Sequence, residues 1–452
     1  MRRLTVDFEM TKKRMIMIKN VIKLSLVAAT AVAGISTASS AGKLEDAIKN
    51  TDLTGYVRYR YTDGSNDQNT SEGPFSRDPI TNAPGAIEQT HQYRTVFDIK
   101  SKVNDMVTAN LRTDLQGTIT DETGDQDPNL LTFTHANFIF NTGFATITAG
   151  KQGVPTPFAD ALEQQGTGVV AVLPAGPVNI AAGWFFNTDV TSGNINADAN
   201  STDRPANAAP VGAHNLVALG VMGKASVVDF GVWLAKLSDG GDSNSVTDAN
   251  SPDSNTSLEG AGATAINLNV GVNIGTLKIE VNHAQVAYDI DESLKTDKTT
   301  DDPTNTQTRV MGTIDAGTVQ ATIGVILTGE DGGDVTFGDT DAKANFDGRD
   351  FHASSTRDAT IFNFKAAMPL GAVTLWAQHI TTDDTDGQSA KDANGKDVET
   401  DATETSLGFN YAMTKNFSIS GYYAQAEYIN EKDSEETEDT YDKQRIEMKY
   451  TF

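Results

Sequence analysis

Apolar and polar residues alternate with a period of two at both ends of the chain. At the C-terminus Ile446, Met448, Tyr450 and Phe452 interleave with Arg445, Glu447, Lys449 and Thr451. Near the N-terminus Leu53, Val57, Tyr59 and Tyr61 interleave with Thr54, Tyr56, Arg58 and Arg60. A pleated strand has this period when one side meets an apolar phase and the other meets water. Between these ends the pattern predicts strands at 91–101, 106–117, 131–140, 144–151, 167–173, 177–187, 213–223, 225–236, 263–273, 276–287, 307–315, 318–328, 359–368, 372–380, 403–412 and 416–428. With the terminal pair this makes about 18 strands, 16 being the alternative count.

The connections carry more information than the strands. Short turns at 104–105, 141–143, 174–177, 223–225, 273–275, 315–317, 369–371 and 413–416 use Gly, Pro, Asn and Asp, which suit tight turn geometry. They alternate with long polar segments at 62–90, 118–130, 152–166, 188–212, 237–262, 288–306, 329–358, 381–402 and 429–440. Their Asp, Asn, Thr, Ser and Gly content would also suit linkers, but their recurrence between every second pair of strands selects outer loops. The expectation is an all-β, transmembrane, up-and-down antiparallel barrel with short periplasmic turns and long outer loops, its two end strands pairing to remove the exposed edges. No stretch approaches 18 consecutive apolar residues, so strands rather than helices must cross the membrane. At 16–18 strands such a barrel encloses an aqueous channel.

Charge adds direction. The 452 residues hold 35 Lys+Arg against 61 Asp+Glu, a formal charge of -26, and no cysteine. Lys19 and Lys23, the apolar run 24–35 and the small residues up to Ala41 follow the order of a secretory signal. The run is shorter than the roughly 20 residues of an anchoring helix. The division expected is therefore 1–41, upstream residues and a cleaved signal, and 42–452, one barrel domain; Met15 and Met17 are alternative starts. Removing seven basic and two acidic residues with the signal takes the charge from -26 to -31. Such a chain is a poor partner for nucleic acid and a good one for cations.

After the strand 144–151 the sequence runs Gly150-Lys151-Gln152-Gly153-Val154-Pro155-Thr156-Pro157-Phe158-Ala159-Asp160 and on to Glu163. This resembles the Gly-Lys/Arg-Gln-x-x-Pro start of the inward-folded third loop of trimeric general porins. Taken with the signal, the strand 54–61 after Leu44-Glu45-Asp46-Ala47-Ile48, and the terminal Phe452, the chain resembles the Campylobacter-type (epsilon-proteobacterial) major outer membrane porin family. The resemblance implies a homotrimer of 18-stranded barrels in the bacterial outer membrane, passing small hydrophilic solutes and ions with a cation preference. It also implies that the loop holding Lys151, Gln152, Pro155, Pro157, Asp160 and Glu163 constricts the pore. Ile446, Met448, Tyr450 and Phe452 resemble the terminal assembly signal of outer-membrane proteins.

Read from the residues themselves, Arg58, Arg60, Arg94, Lys100 and Arg112 fall on the inward parity of the first three strands. Acid on the loop facing this basic wall would set up a transverse field in the lumen. Equally, each could be a solvated residue on the wet side of a strand. Trp184, Phe186, Phe138, Phe140, Tyr411, Tyr422, Tyr423 and Tyr450 suit interfacial girdles or plain strand packing. The acidic segments 297–302, 339–350 and 431–439 have ligands that calcium takes, without the regular calcium-loop spacing, and could bridge to lipopolysaccharide or simply be solvated.

No nucleophile elbow, phosphate loop, His-Glu-x-x-His or cysteine nucleophile is present, and the six histidines keep no metal-ligand spacing. The reading is a passive diffusion porin with no catalytic residues and no required cofactor. Its rivals are a substrate-specific channel, for which the inward aromatics Tyr56, Phe185, Trp233 and Trp376 look isolated, and a surface adhesin whose loops are the working part.

Overall fold

The alternation closes a barrel. A computed structural model describes residues 49–66, 88–120, 130–190, 214–238, 261–290, 302–337, 341–384, 399–432 and 435–452. Its strands are β1 Thr51–Asn66, β2 Glu88–Lys102, β3 Val107–Thr120, β4 Leu130–Asn141, β5 Thr146–Gly153, β6 Gln165–Ala175, β7 Val178–Thr188, β8 His214–Ala225 and β9 Val228–Leu237. They continue as β10 Ala261–Ile274, β11 Leu277–Ile290, β12 Thr304–Asp315, β13 Gln320–Thr328, β14 Ala359–Leu370, β15 Val373–Asp384, β16 Glu399–Ala412, β17 Phe417–Lys432 and β18 Glu435–Thr451. Each strand pairs antiparallel with the next, and β1 pairs with β18 over eleven residues from Tyr56↔Thr451 to Asn66↔Tyr441. Closure leaves no open edge, which is the condition for a sheet in hydrocarbon.

Register keeps each face pure. Val57, Tyr59, Phe133, Phe138, Leu234, Ile323, Phe364, Leu407 and Ile446 are all exposed on the outside, as a lipid-facing wall requires. Trp184, Phe186 and Tyr423 belong to the same outer face. Tyr422 does not: it points inward, its ring 6.5 Å from that of Trp376.

Seven of the eight short connections fall on or overlap the residues where the sequence places them. The eighth, expected at 223–225, lies at Ser226-Val227, because β8 runs on through Ala225 and Ser226 rather than Gly223 takes the positive φ. Five of the seven carry a glycine at positive φ, at 143, 176, 275, 317 and 371, a backbone state that a side chain would strain. The last of the nine long connections departs from expectation. β17 and β18 run through most of 429–440, and in the acidic stretch 431–439 the described residues 431–432 and 435–439 are paired strand rather than loop. Backbone pairing needs no apolar face, so a hairpin rising above the lipid can be polar on both sides and read as loop.

One further feature sets the lumen. On the inner face, where water would call for polar residues, β8–β11 present Ala218, Ala235, Ala263, Ala265 and Ala284. These small side chains leave room for Phe158 and Phe337, which come from two connections folded inside the barrel and are fully buried. A second buried cluster joins Phe346 and Phe351 to Ala359, Ile361, Ile380, Ala402 and Ala426 on β14–β17.

Candidate functional site: the constricted lumen

The first inward connection, 154–164, joins β5 to β6. Gly153 opens it where any side chain would collide with the Ala161 backbone. Val154 N–H donates to Gln164 O at 3.0 Å, pinching the loop shut at its base. Inside, the Asp160 carboxylate accepts from Leu162 N–H at 2.9 Å, an Asx-type turn. Phe158 buries its ring among the inner alanines, and Pro157 is buried while Pro155 is exposed.

The second inward connection, between β13 and β14 and described at 329–337 and 341–358, lies against the first. Phe337 N–H donates to Phe158 O at 2.7 Å, Ala344 N–H to Pro157 O at 2.9 Å, and Gln164 Nε2 to Phe337 O. The two phenylalanine rings sit 5.4 Å apart. Fully burying such a ring contributes about 1.5–3 kcal/mol, so this contact helps hold both segments inside the lumen. The wall grips the second segment too. The fully buried Glu404 of β16 accepts the backbone N–H groups of Arg349, Asp350 and Phe351 at 2.7–2.9 Å. Arg309 Nη1 donates to Asn345 O at 2.7 Å, Gln307 Nε2 to Asn345 Oδ1 at 3.0 Å, and Lys443 pairs with Asp350 at 3.1 Å.

These outer contacts include one titrating pair. His352 Nδ1 lies 3.1 Å from Asp347 Oδ1. Burial pushes the Asp347 carboxyl above the usual range, with the His352 contact opposing. Burial would lower the His352 imidazole, but the bond and charge of Asp347 outweigh it and leave it raised.

The basic wall expected from sequence is present on the inner face, but its charges are largely spent at short range. Arg60 pairs with Glu447 at 2.8 Å, and Arg58 lies 4.0 Å from the same carboxylate and 2.7 Å from Gln92. Arg94 holds Asp114 through Nε at 2.8 Å and also pairs with Glu163 of the first inward loop. Lys100 lies 3.8 Å from Asp98, and Arg112 stands opposite Asp98 in the ladder. Glu163 and Arg94 thus touch instead of facing each other across a gap. Register, which sets who neighbours whom at about 5 Å, cannot be read from one strand at a time.

Lys151 is displaced from its expected role. The register Phe138↔Ala149↔Val169 is outward, and Lys151 lies two residues on along the same face, so it points away from the lumen. Gln152 faces in and is buried, donating to Thr148 O at 3.2 Å. Phe452 exchanges backbone hydrogen bonds with Gly55 at 3.0 Å each, and its ring lies 5.8 Å from Phe97 and 6.2 Å from Tyr450. Tyr450, Met448 and Ile446 pair with Val57, Tyr59 and Tyr61 along the closing seam.

Between the inward segments and the walls of β8–β15 lies a cavity of about 1230 Å³. Five acids (Asp160, Asp229, Glu280, Asp341, Asp347) and five bases (Lys278, Arg309, Lys343, Arg349, Lys365) line it. The acids and bases of this lining are equal in number, and within it Lys278 pairs with Glu280 at 2.8 Å. Sequence reading missed the second inward connection and its anchors Gln307, Arg309 and Glu404. The signal that could have revealed it is the run of inward alanines, since small apolar residues on a wet wall imply something packed against them.

A profile of the family described as Campylobacter major outer membrane protein matches residues 19–452. The chain belongs to that family. Solved structures give the same fold at low identity. Pseudomonas aeruginosa OpdQ aligns over 90% of this chain and 99% of its own, with a TM-score of 0.59 and 12% identity. P. aeruginosa OccK2 (OpdF), solved in complex with glucuronate, aligns over 89% and 98%, with a TM-score of 0.58 and 12% identity. Acinetobacter baumannii OccAB4 aligns over 89% and 99%, with a TM-score of 0.57 and 11% identity. No curated protein matches the chain. Family and fold together make this an outer-membrane channel, not an enzyme. For calcium, no group of three or more His, Asp or Glu side chains among the described residues is gathered as a metal site, while 297–301, 339–340 and 433–434 of the acidic segments lie outside the described residues.

Proposed function

We propose that the chain is a general diffusion porin, passing small hydrophilic solutes and ions down their gradients, with a modest preference for cations. The observation that carries this reading is the cavity left between the two inward connections, lined by five acids and five bases. Cation preference is assigned to the loop acids Asp160, Asp341 and Asp347, because charge on the distant outer loops is screened beyond about 8 Å in physiological salt. The family resemblance further supports a homotrimer in contact with lipopolysaccharide, and a signal cut after Ala41; residues 1–48 lie outside the described residues.

Planar-bilayer recording tests the reading. Purified protein should give stable conductance steps and a reversal potential in a potassium chloride gradient that favours potassium. Asp160→Asn should shift that potential towards chloride, and Glu163→Gln should do the same by leaving Arg94 with one acid fewer. A potential unmoved by both changes would remove this constriction as the selectivity filter, and absence of conductance would sink the porin reading. A substrate-specific channel is the second reading, favoured by the inward pair Trp376 and Tyr422; flux that saturates with every solute tried would select it.

A further inference from the structure

Three cations meet on one wall of the lumen. The Arg349 guanidinium, from the second inward connection, lies 4.8 Å from the centre of the Trp376 ring and 5.1 Å from that of Tyr422. Lys365 of β14 approaches the Trp376 ring at 5.5 Å, and Arg445 of β18 approaches the Tyr422 ring at 5.5 Å. The two rings are 6.5 Å apart, so the three positive groups share one small region. Gly408 makes the platform: a side chain there would run into the Trp376 ring.

The carboxylate of Asp350, next to Arg349 in the chain, and those of Glu404 on β16 and Glu447 on β18 are already engaged. Asp350 pairs with Lys443 at 3.1 Å. Glu404 spends its oxygens on three backbone N–H groups. Glu447 is held by Arg60 at 2.8 Å. Among the described residues none of Arg349, Lys365 and Arg445 has a carboxylate within ion-pair distance; Arg445 Nε donates to Thr62 Oγ1 at 3.1 Å, and Arg349 Nε is shielded from solvent without a hydrogen-bond partner. Aromatic faces attract cations but do not neutralise them. Three like charges so placed repel one another, and that repulsion is relieved by an anion.

We infer that Arg349, Lys365 and Arg445 form a docking site for the carboxylate group of a small solute in transit through the lumen. The inference rests on the channel reading above. The rings of Trp376 and Tyr422 hold two planar guanidinium groups and one ammonium in place, so little side-chain entropy is lost when the carboxylate arrives. Charge-assisted hydrogen bonds from guanidinium groups supply the affinity. Asp160 of the first inward loop lines the same cavity as Arg349 and Lys365, so a zwitterionic solute would cross with its carboxylate towards β14–β18 and its ammonium towards that loop.

Single-channel recording in potassium chloride, with succinate added to one side, tests this. Wild-type conductance should fall with succinate and the fall should saturate. The double substitution Arg349→Gln with Lys365→Met should raise the half-blocking concentration by about tenfold or more. Arg349→Gln keeps the backbone N–H that Glu404 holds; if the double variant fails to assemble, Lys365→Met alone and Arg445→Gln alone should each weaken the block. Inorganic phosphate in place of succinate distinguishes a carboxylate site from a general anion site, and equal block by both overturns the carboxylate assignment. Conductance in potassium chloride without any succinate block, or block of equal strength in the variants, overturns the inference and leaves the porin reading standing. Absence of conductance in the wild type overturns both.

Discussion

Glu404 shows how one residue can decide the shape of a pore. It is fully buried in a strand whose neighbours alternate cleanly, and nothing in Thr403-Glu404-Thr405 distinguishes it from a wet lumen-facing acid. Its carboxylate instead closes on the N–H groups of 349–351, where Gly348 lets it approach without a side chain in the way. Hydrogen bonds to a charged group contribute about 1.5–3 kcal/mol each before losses. Glu404→Ala should therefore release 329–358 from the wall. Limited proteolysis of detergent-purified protein should cut within that segment in the variant and not in the wild type, with noisier single-channel current. Glu404→Gln, which keeps one acceptor oxygen, should fall between the two.

At the scale of elements, the second inward connection is where pH enters. The raised His352 imidazole stabilises docking fully below its ordinary value near 6.5, and that contribution is lost as pH rises through its higher value in the folded loop. The raised Asp347 carboxyl has the same sign: protonation favours the docked state and the benefit fades as pH climbs out of the acid range. Lys443 opposes the His352 proton and Asp350 supports it, without reversing the direction. Protection factors for amide hydrogen exchange of residues 341–358, corrected for the intrinsic rise of exchange with pH, should thus be larger at pH 6 than at pH 8. His352→Gln should erase most of that difference, and a variant that keeps it would refute the assignment. The closing seam is the other element under test. Deleting Phe452 removes two backbone hydrogen bonds to Gly55 and a ring packed against Phe97, so yield of heat-stable assembled protein should fall, while the potassium-to-chloride ratio of what does assemble stays near wild type.

For the whole molecule, the balance of charge inside is set apart from the balance outside. The chain is strongly acidic, yet the cavity between the inward connections and β8–β15 is lined by five acids and five bases. Weak sign selectivity is the expected outcome, and raising salt should reduce cation preference further as screening shortens. Reversal potentials measured at 0.1 M and 1 M potassium chloride should converge on zero selectivity; a preference that strengthens with salt would contradict a purely electrostatic filter.

By itself the sequence determined the barrel. Period-two alternation fixed which side of each strand meets lipid, seven of eight Gly/Asn/Asp/Pro turns fixed where the chain reverses, and the terminal alternation fixed which strands close the seam. These are local properties, carried by residues two apart or by one tight turn. What happens inside was decided only in three dimensions. That Glu163 touches Arg94, that Lys151 faces outward, that Tyr422 faces inward under Arg349 and that 329–358 fills the lumen all depend on register and on contacts between segments far apart in the chain. A polar connection reads the same whether it stands outside in water or folds inside against a ring of alanines. The difference lies in the wall that receives it, and that wall is assembled from strands which become neighbours only when the barrel closes.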